Sequence, residues 1–292
     1  MVDRTQAPAS LEGRLHRCAI NTATLGFRMP IERTIEAVAR AGFGGIGPWR
    51  RELEGQSTAA VARHVRDSGL RVTGYCRSTY LPAMDQTARA AAIDDNRRAI
   101  DDAATLGAAC FVMVVGALPE GSRDLAAARH QVEEGTATLL DHARKAGVRL
   151  ALEPLHPMYA ADRSCLNTID QALDLAAALE PAPGDLPDLG VVIDAYHVWW
   201  DPRLGEALVR GGCDRRLVGF HVSDWLVPTR DLLTDRGMMG DGVIDLLKLR
   251  GLIERAGYAG FVEVEIFSDR TWWRRPVDDV LATTADRLQS RC

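Results

Sequence analysis

Short apolar runs alternate along the chain with longer amphipathic stretches, a pattern that predicts strands each followed by a helix on a parallel sheet. The apolar runs fall at residues 17–21, 44–47, 71–76, 110–115, 149–153, 190–194, 218–222 and 261–266. Helical spacing of apolar positions marks 31–41, 58–68, 88–106, 124–146, 168–179 and 244–256, a closing helix over 277–288, and a weaker crossover at 202–211. Eight such units predict an α/β fold, a single (β/α)8 TIM barrel over residues 15–292. A loose, flexible lead-in is expected over residues 1–14, which carry Pro8 and Gly13. Several helices end in Ala-Gly or Ser-Gly directly before a strand, as at 41–42, 68–69, 146–147 and 256–257. The turns entering the strands are therefore short and structural. The segments leaving the strands are longer and chemically richer, and in a barrel that end carries the site.

Composition narrows the possibilities. A chain of 292 residues is ordinary for one α/β barrel. With 47% hydrophobic and 26% charged residues it has enough apolar surface for a large core. A net charge of -5 offers no basic field for a nucleic-acid partner. The longest nearly uncharged apolar run, 107–118, falls short of the roughly 20 residues that cross a bilayer, so no membrane partner is expected. Lys145 and Lys248 are the only lysines and lie in helix-like sequence, which disfavours Schiff-base chemistry. Six scattered cysteines without a CxxC pair, and no secretory leader, predict reduced thiols and a cytoplasmic location. The stretch 42–47 satisfies GxGxxG, but it leaves a helix and enters a strand, the reverse of a dinucleotide fingerprint. Packing is its expected role.

Chemistry concentrates at the carboxyl ends of the last four strands. Strand five ends Leu152-Glu153-Pro154, strand six Ile193-Asp194 with His197 three residues on, strand seven Phe220-His221-Val222, and strand eight Glu263-Val264-Glu265. A barrel gathers such positions around one axis, so Glu153, Asp194, His221 and Glu265 are expected to converge. Three carboxylates and one imidazole suit one divalent ion, foremost Mn²⁺, with Mg²⁺, Co²⁺ or Zn²⁺ as alternatives. Alternation places Glu263 and Glu265 on the same side of the strand, and Glu265 is preferred because it lies nearer the carboxyl end. Glu263 is left to buried structure or to supporting a ligand. His197 is open between substrate contact and packing, and His156 on the strand-five loop is a further candidate. All six tryptophans, Trp49 and Trp225 among them, follow strand ends and predict an aromatic rim for a substrate or for a subunit interface. A homodimer or homotetramer is expected from these exposed aromatic loops.

Leu152-Glu153-Pro154, Ile193-Asp194-Ala195-Tyr196-His197, Gly219-Phe220-His221-Val222 and Val262-Glu263-Val264-Glu265-Ile266 resemble the sugar phosphate isomerase/epimerase group of xylose isomerase-like barrels. That group includes ketose 3-epimerases, inosose isomerases and inosose dehydratases, and more remotely endonuclease IV. The resemblance runs from about Cys18 to Leu288. It implies Glu153, Asp194, His221 and Glu265 as ligands of one divalent metal, His197 as a substrate contact, and Arg236, ahead of a Gly-x-Gly turn, as a substrate-binding arginine. It further implies an isomerase or epimerase of a small keto sugar or keto-cyclitol. There Glu153 and Glu265 move a proton α to a metal-bound carbonyl through an enediolate. Two alternatives remain: a dehydratase or lyase working by β-elimination on a 3-keto sugar or 3-keto-glycoside, and a non-catalytic barrel that binds a sugar or a partner protein. Phosphodiester hydrolysis, as in the remote relatives, is disfavoured by the acidic balance and by seven histidines lying mostly outside the mouth. Two departures bear on substrate identity: a longer loop between His221 and Arg236, and Gly47-Pro48-Trp49-Arg50 where relatives commonly carry a glutamate.

Overall fold

Nine parallel strands make one sheet that curls into a barrel: β1 (Cys18–Asn21), β2 (Gly45–Gly47), β3 (Arg71–Val72), β4 (Tyr75–Cys76), β5 (Phe111–Met113), β6 (Leu150–Leu152), β7 (Leu189–Asp194), β8 (Leu217–Val222) and, after a short antiparallel pair β9 (Asp224–Trp225) and β10 (Arg236–Gly237), β11 (Val262–Val264). These come from a computed structural model that describes residues 8–182, 184 and 186–292. The sheet order is β3-β2-β1-β11-β8-β7-β6-β5-β4. Its two ends, β3 and β4, are halves of one expected strand, so the chain itself closes the ring at Thr73 and Gly74. Thr73 N–H donates to Ile46 O, whereas Tyr75 N–H donates to Cys110 O. The third strand thus changes partner midway, and eight staves give nine strands.

The helices are α1 (Ile31–Arg40), α2 (Arg50–Leu53), α3 (Thr58–Asp67), α4 (Gln86–Leu106), α5 (Leu125–Ala146), α6 (Ile169–Leu179), α7 (Ala195–Val198), α8 (Leu204–Cys213), α9 (Leu246–Arg255) and α10 (Val277–Arg291); all but the one-turn α2 and α7 fall where helical spacing places them. The weak crossover at 202–211 is the helix α8. Side-chain caps start several of them: Asp85, Asp124, Thr168 and Asp245 each accept a backbone N–H of the first turn. Gly147 ends α5 at φ +70°, a left-handed residue that lets β6 begin at once. None of the described helices is long and apolar enough to cross a membrane. All six cysteines are free thiols.

Apolar residues between strands and helices form the main core, among them Ile20, Ile46, Phe111, Leu150 and Val191. A smaller cluster fills the bore: Cys76, Cys110, Val112, Ala151 and Val192. The residues two further along from Ala151 and Val192, on the same side of their strands, are Glu153 and Asp194. The apolar bore is therefore the floor on which the polar end stands. Glycines in the stretch 42–47 serve this packing: a Cβ on Gly44 would lie 1.9 Å from His16 O, and one on Gly47 would lie 2.2 Å from Glu263 Oε1.

At the amino-terminal end the bore is not filled. A cavity of about 400 Å³ opens there, lined by Arg17, Arg71, Val218, Tyr258 and Phe261, with Glu263 and His221 reached at its inner end. Nearby, a buried ion pair ties α6 to the start of β7 and β8: Arg216 donates to Glu180 Oε2 at 2.8 Å, to Glu180 O at 2.8 Å and to Leu189 O. Of the expected lead-in, residues 1–7 lie outside the described residues. Leu11 is buried in the core, and Ala9 O accepts from Arg250 of α9.

Candidate metal centre

Asp194 and His221 stand at the carboxyl ends of β7 and β8, and Glu153 and Glu265 one residue past the ends of β6 and β11. Each offers one ligand atom, and the four atoms lie within 4.8 Å of one another, all buried. The geometry around His221 is specific. Its Nδ1 faces Glu153 Oε1 at 3.6 Å and Glu265 Oε2 at 3.8 Å. Both His221 Nδ1 and Glu153 Oε1 are buried without a hydrogen-bond partner. Two unpaired polar atoms aimed at one point are what a cation between them would satisfy. The donor set, three carboxylates and one imidazole, fits a divalent ion of the Mn²⁺, Mg²⁺, Co²⁺ or Zn²⁺ kind.

Charge at the centre is strongly negative. Burial alone would push the His221 imidazole down, but Glu263, Glu153 and Glu265 hold it up at about 10. The field that retains that proton would equally retain a divalent cation in its place. Burial also raises the Glu265 carboxyl, only partly offset by His221 and Arg236. Asp194 goes the other way: burial opposes its charge, but the Arg236 guanidinium, with His221, keeps it below the usual carboxylate range.

Arg236 is engaged by the cluster itself. Its Nη1 donates to Asp194 Oδ2 at 2.9 Å and to Glu265 Oε2 at 3.2 Å, and its Nη2 lies 3.2 Å from His197 Nε2. The guanidinium packs over Tyr196 at 4.4 Å and Phe267 at 5.1 Å. Because arginine only donates, His197 Nε2 must accept, which leaves Nδ1 carrying the proton; that Nδ1 is buried with no partner. Burial pushes the His197 imidazole down to about 3, with Asp194 opposing, so it is neutral.

Arg236 reaches this place through a loop held by Asp224. The Asp224 carboxylate accepts four backbone N–H groups, from Trp225 and Ile244 on Oδ1 and from Gly240 and Gly242 on Oδ2, each at 2.9 Å. The β9–β10 pairing then sets Arg236 opposite Trp225. Asp224→Ala would strand buried donors and is expected to cost about 3 kcal/mol or more. Denaturant unfolding checks this, and an unchanged midpoint would refute it.

The aromatic rim divides into two walls. On one side His156 stacks on Trp225 at 4.8 Å between ring centres, Tyr196 meets Trp225 at 4.7 Å and Trp200 meets His156 at 5.8 Å. In the other, Trp49, past the end of β2, packs on Phe267 at 5.4 Å and on Phe27 at 5.8 Å. The longer segment between His221 and Arg236 folds back over the barrel end. Leu232 packs on Val114, Leu155 and Tyr159, and Leu232 O accepts from the Tyr196 hydroxyl at 2.9 Å. Arg50 is tied to Asp95 at 2.8 Å.

Sequence reasoning passed over Asn21, Thr73 and Cys76, which surround Glu263 in the bore. Thr73 and Cys76 are three apart, so strict alternation would set them on opposite faces, and only the change of partner within 71–76 brings both to the bore. Sequence reasoning also passed over Asp224, whose single sign was an acidic residue just beyond strand seven.

A family model for xylose isomerase-like TIM barrels matches residues 35–291. No curated protein matches the chain. Among solved structures, a protein from Sinorhizobium meliloti 1021 is similar at 50% identity with a TM-score of 0.91, covering 96% of this chain and 99% of that one. The IOLI protein, solved with a binding zinc atom, shares the fold at 19% identity and a TM-score of 0.76, over 94% of this chain and 99% of that one. A D-psicose 3-epimerase solved in the presence of D-fructose shares it at 18% identity and a TM-score of 0.74, over 93% and 96%.

Proposed function

Because the chain belongs to the xylose isomerase-like TIM barrel family, we propose that it is a divalent-metal-dependent isomerase or epimerase of a small keto sugar or keto-cyclitol. The observation that carries this reading is the buried, unpaired facing of His221 Nδ1 and Glu153 Oε1 within the cluster of four ligand atoms. The zinc in IOLI and the ketose chemistry named for the psicose epimerase support it.

A divalent cation bound by Glu153, Asp194, His221 and Glu265 supplies Lewis acidity that makes a C–H beside a carbonyl more acidic. The residues do the rest. Glu153 and Glu265 follow β6 and β11, with β7 and β8 between them in the sheet, so the two carboxylates come from separate staves of the barrel. One takes the α-proton and the other returns it, on the opposite face for epimerisation or at the neighbouring carbon for isomerisation. Neutral His197 offers its free Nδ1–H to a substrate oxygen, and Arg236 fixes that tautomer through Nε2. Burial of the whole cluster keeps bulk water from competing for the proton.

Solvent deuterium tests the proposal. Mn²⁺-loaded protein is expected to place deuterium α to the carbonyl of at least one sugar or cyclitol in a broad keto panel. Glu153→Gln and Glu265→Gln are each expected to lose that exchange by about 10²-fold or more. Wild type that retains no metal after reloading, or that exchanges nothing across the panel, counts against it.

A further inference from the structure

Glu263 is a third buried glutamate in the bore, 3% exposed, and it does not belong to the cluster of four. Among the described residues, no arginine or lysine forms an ion pair with it, and a buried carboxylate without a cation is costly. Its surroundings answer that cost. Asn21 Nδ2 donates to Glu263 Oε1 at 2.8 Å, and Thr73 Oγ1 donates to Oε2 at 2.5 Å. The Asn21 amide is oriented by donors on its other end: Trp49 Nε1 at 2.7 Å and Ala23 N at 3.2 Å both donate to Oδ1. Glu263 Oε1 then faces His221 Nε2 at 3.6 Å, while Glu153 and Glu265 face Nδ1. Room for the carboxylate exists because position 47 has no side chain.

We propose that Glu263 is a positioning residue for His221: by accepting from Nε2–H it holds the imidazole tautomer and ring plane so that Nδ1 is the nitrogen presented to a divalent cation. This rests on the reading of the four-residue cluster as a metal centre. Imidazole ligands commonly donate their second N–H to a carboxylate, which orients the ring and raises its basicity. Here the carboxylate comes from β11 and lies two residues before Glu265, which follows the strand's end, so one short segment supplies both a ligand and the orienting partner of another. Glutamine at 263 would keep an oxygen for Asn21 and His221 and turn its amide to Thr73 Oγ1, which can accept, but it would lack the negative charge that favours a proton on His221 Nε2.

The probe is Zn²⁺, titrated into metal-stripped protein against a competing chelator, for wild type, Glu263→Gln and Gly47→Ala. The alanine Cβ would occupy the place of Glu263 Oε1 and move the carboxylate while leaving both residues in the chain. Both variants are expected to bind Zn²⁺ about 10–100-fold more weakly. Long-range ¹H–¹⁵N spectra of the zinc-loaded wild type are expected to show His221 protonated at Nε2, a signature lost or mixed with the other tautomer in the variants. A purely structural role would lower the unfolding midpoint yet leave the Zn²⁺ affinity of the folded protein and the tautomer unchanged, and that result overturns the proposal. If Glu263→Gln fails to fold, Gly47→Ala decides by the same readouts. Wild type that binds no Zn²⁺ overturns the metal-centre reading itself, and the positioning role with it. Wild-type affinity in both variants overturns the positioning role alone.

Discussion

Asp194→Asn is expected to leave the purified protein without stoichiometric divalent metal and to lower its melting temperature sharply. Asp194 is fully buried, with Oδ1 accepting from Tyr196 N–H and Oδ2 from Arg236 Nη1 at 2.9 Å. Asparagine keeps one acceptor but turns an amide towards a guanidinium that has no water to fall back on. Removing one partner of a buried pair costs about 3–5 kcal/mol. In a domain this large that corresponds to a loss of roughly 6–20 °C. The same change removes one of the four ligand atoms. Elemental analysis after Mn²⁺ reloading and calorimetry check the two halves separately. Asp278→Asn is the control: its ion pair with Arg40 is exposed on both sides, and such pairs contribute about 0–1 kcal/mol. Metal content and melting temperature at wild-type values in Asp194→Asn would remove the basis for the proposed site.

Glu180→Ala is the second large effect, and it lies away from the site. Glu180 and Arg216 are 5% and 3% exposed, and the carboxylate also accepts from Asp188 N–H at 3.0 Å and Leu189 N–H at 3.3 Å. Truncation leaves the Arg216 charge buried and is expected to destabilise by about 3–5 kcal/mol at neutral pH. Burial opposes ionisation of Glu180, but those N–H groups and the Arg216 and Arg144 guanidiniums hold its carboxyl below the usual range. A carboxyl lowered on folding contributes stability above its unfolded pKa and loses it as pH falls through the folded one. The gap between wild type and Glu180→Ala should therefore narrow in acid, from about pH 4 downwards. Urea unfolding across pH 3–7 measures it, and a gap that stays constant or widens in acid would contradict the assignment.

The barrel was legible because its alternation is regular. Each of the eight apolar runs became a stave, and the Ala-Gly and Ser-Gly pairs became short turns. What could not be read was that residues 71–76 change hydrogen-bonding partner at Thr73, since nothing in side-chain pattern reports which neighbour a backbone N–H finds. The convergence of Glu153, Asp194, His221 and Glu265 was legible for a simple reason: each lies at the end of a strand, and the fold fixes where strand ends go. Arg236 was harder. Its partners depend on how a loop folds, and that loop is shaped by a single carboxylate, Asp224, collecting four N–H groups from residues up to 20 positions away. Glu263 and Glu265 were indistinguishable in orientation by period two. Depth along the strand separates them, and depth depends on where the neighbouring strands begin. Of the six tryptophans expected at the rim, Trp272 is buried in the main core instead, because position past a strand end does not tell which way a ring turns.

The open amino-terminal bore gives the barrel a second approach to its polar centre. The cavity of about 400 Å³ opens past Arg17, Arg71 and Phe261, and its inner end lies beneath Glu263 and His221, on the side away from the mouth. Solvent exchange at the His221 ring is therefore expected to run from below as well as from above. The end that carries no proposed chemistry is thus an end from which the chemistry can be reached.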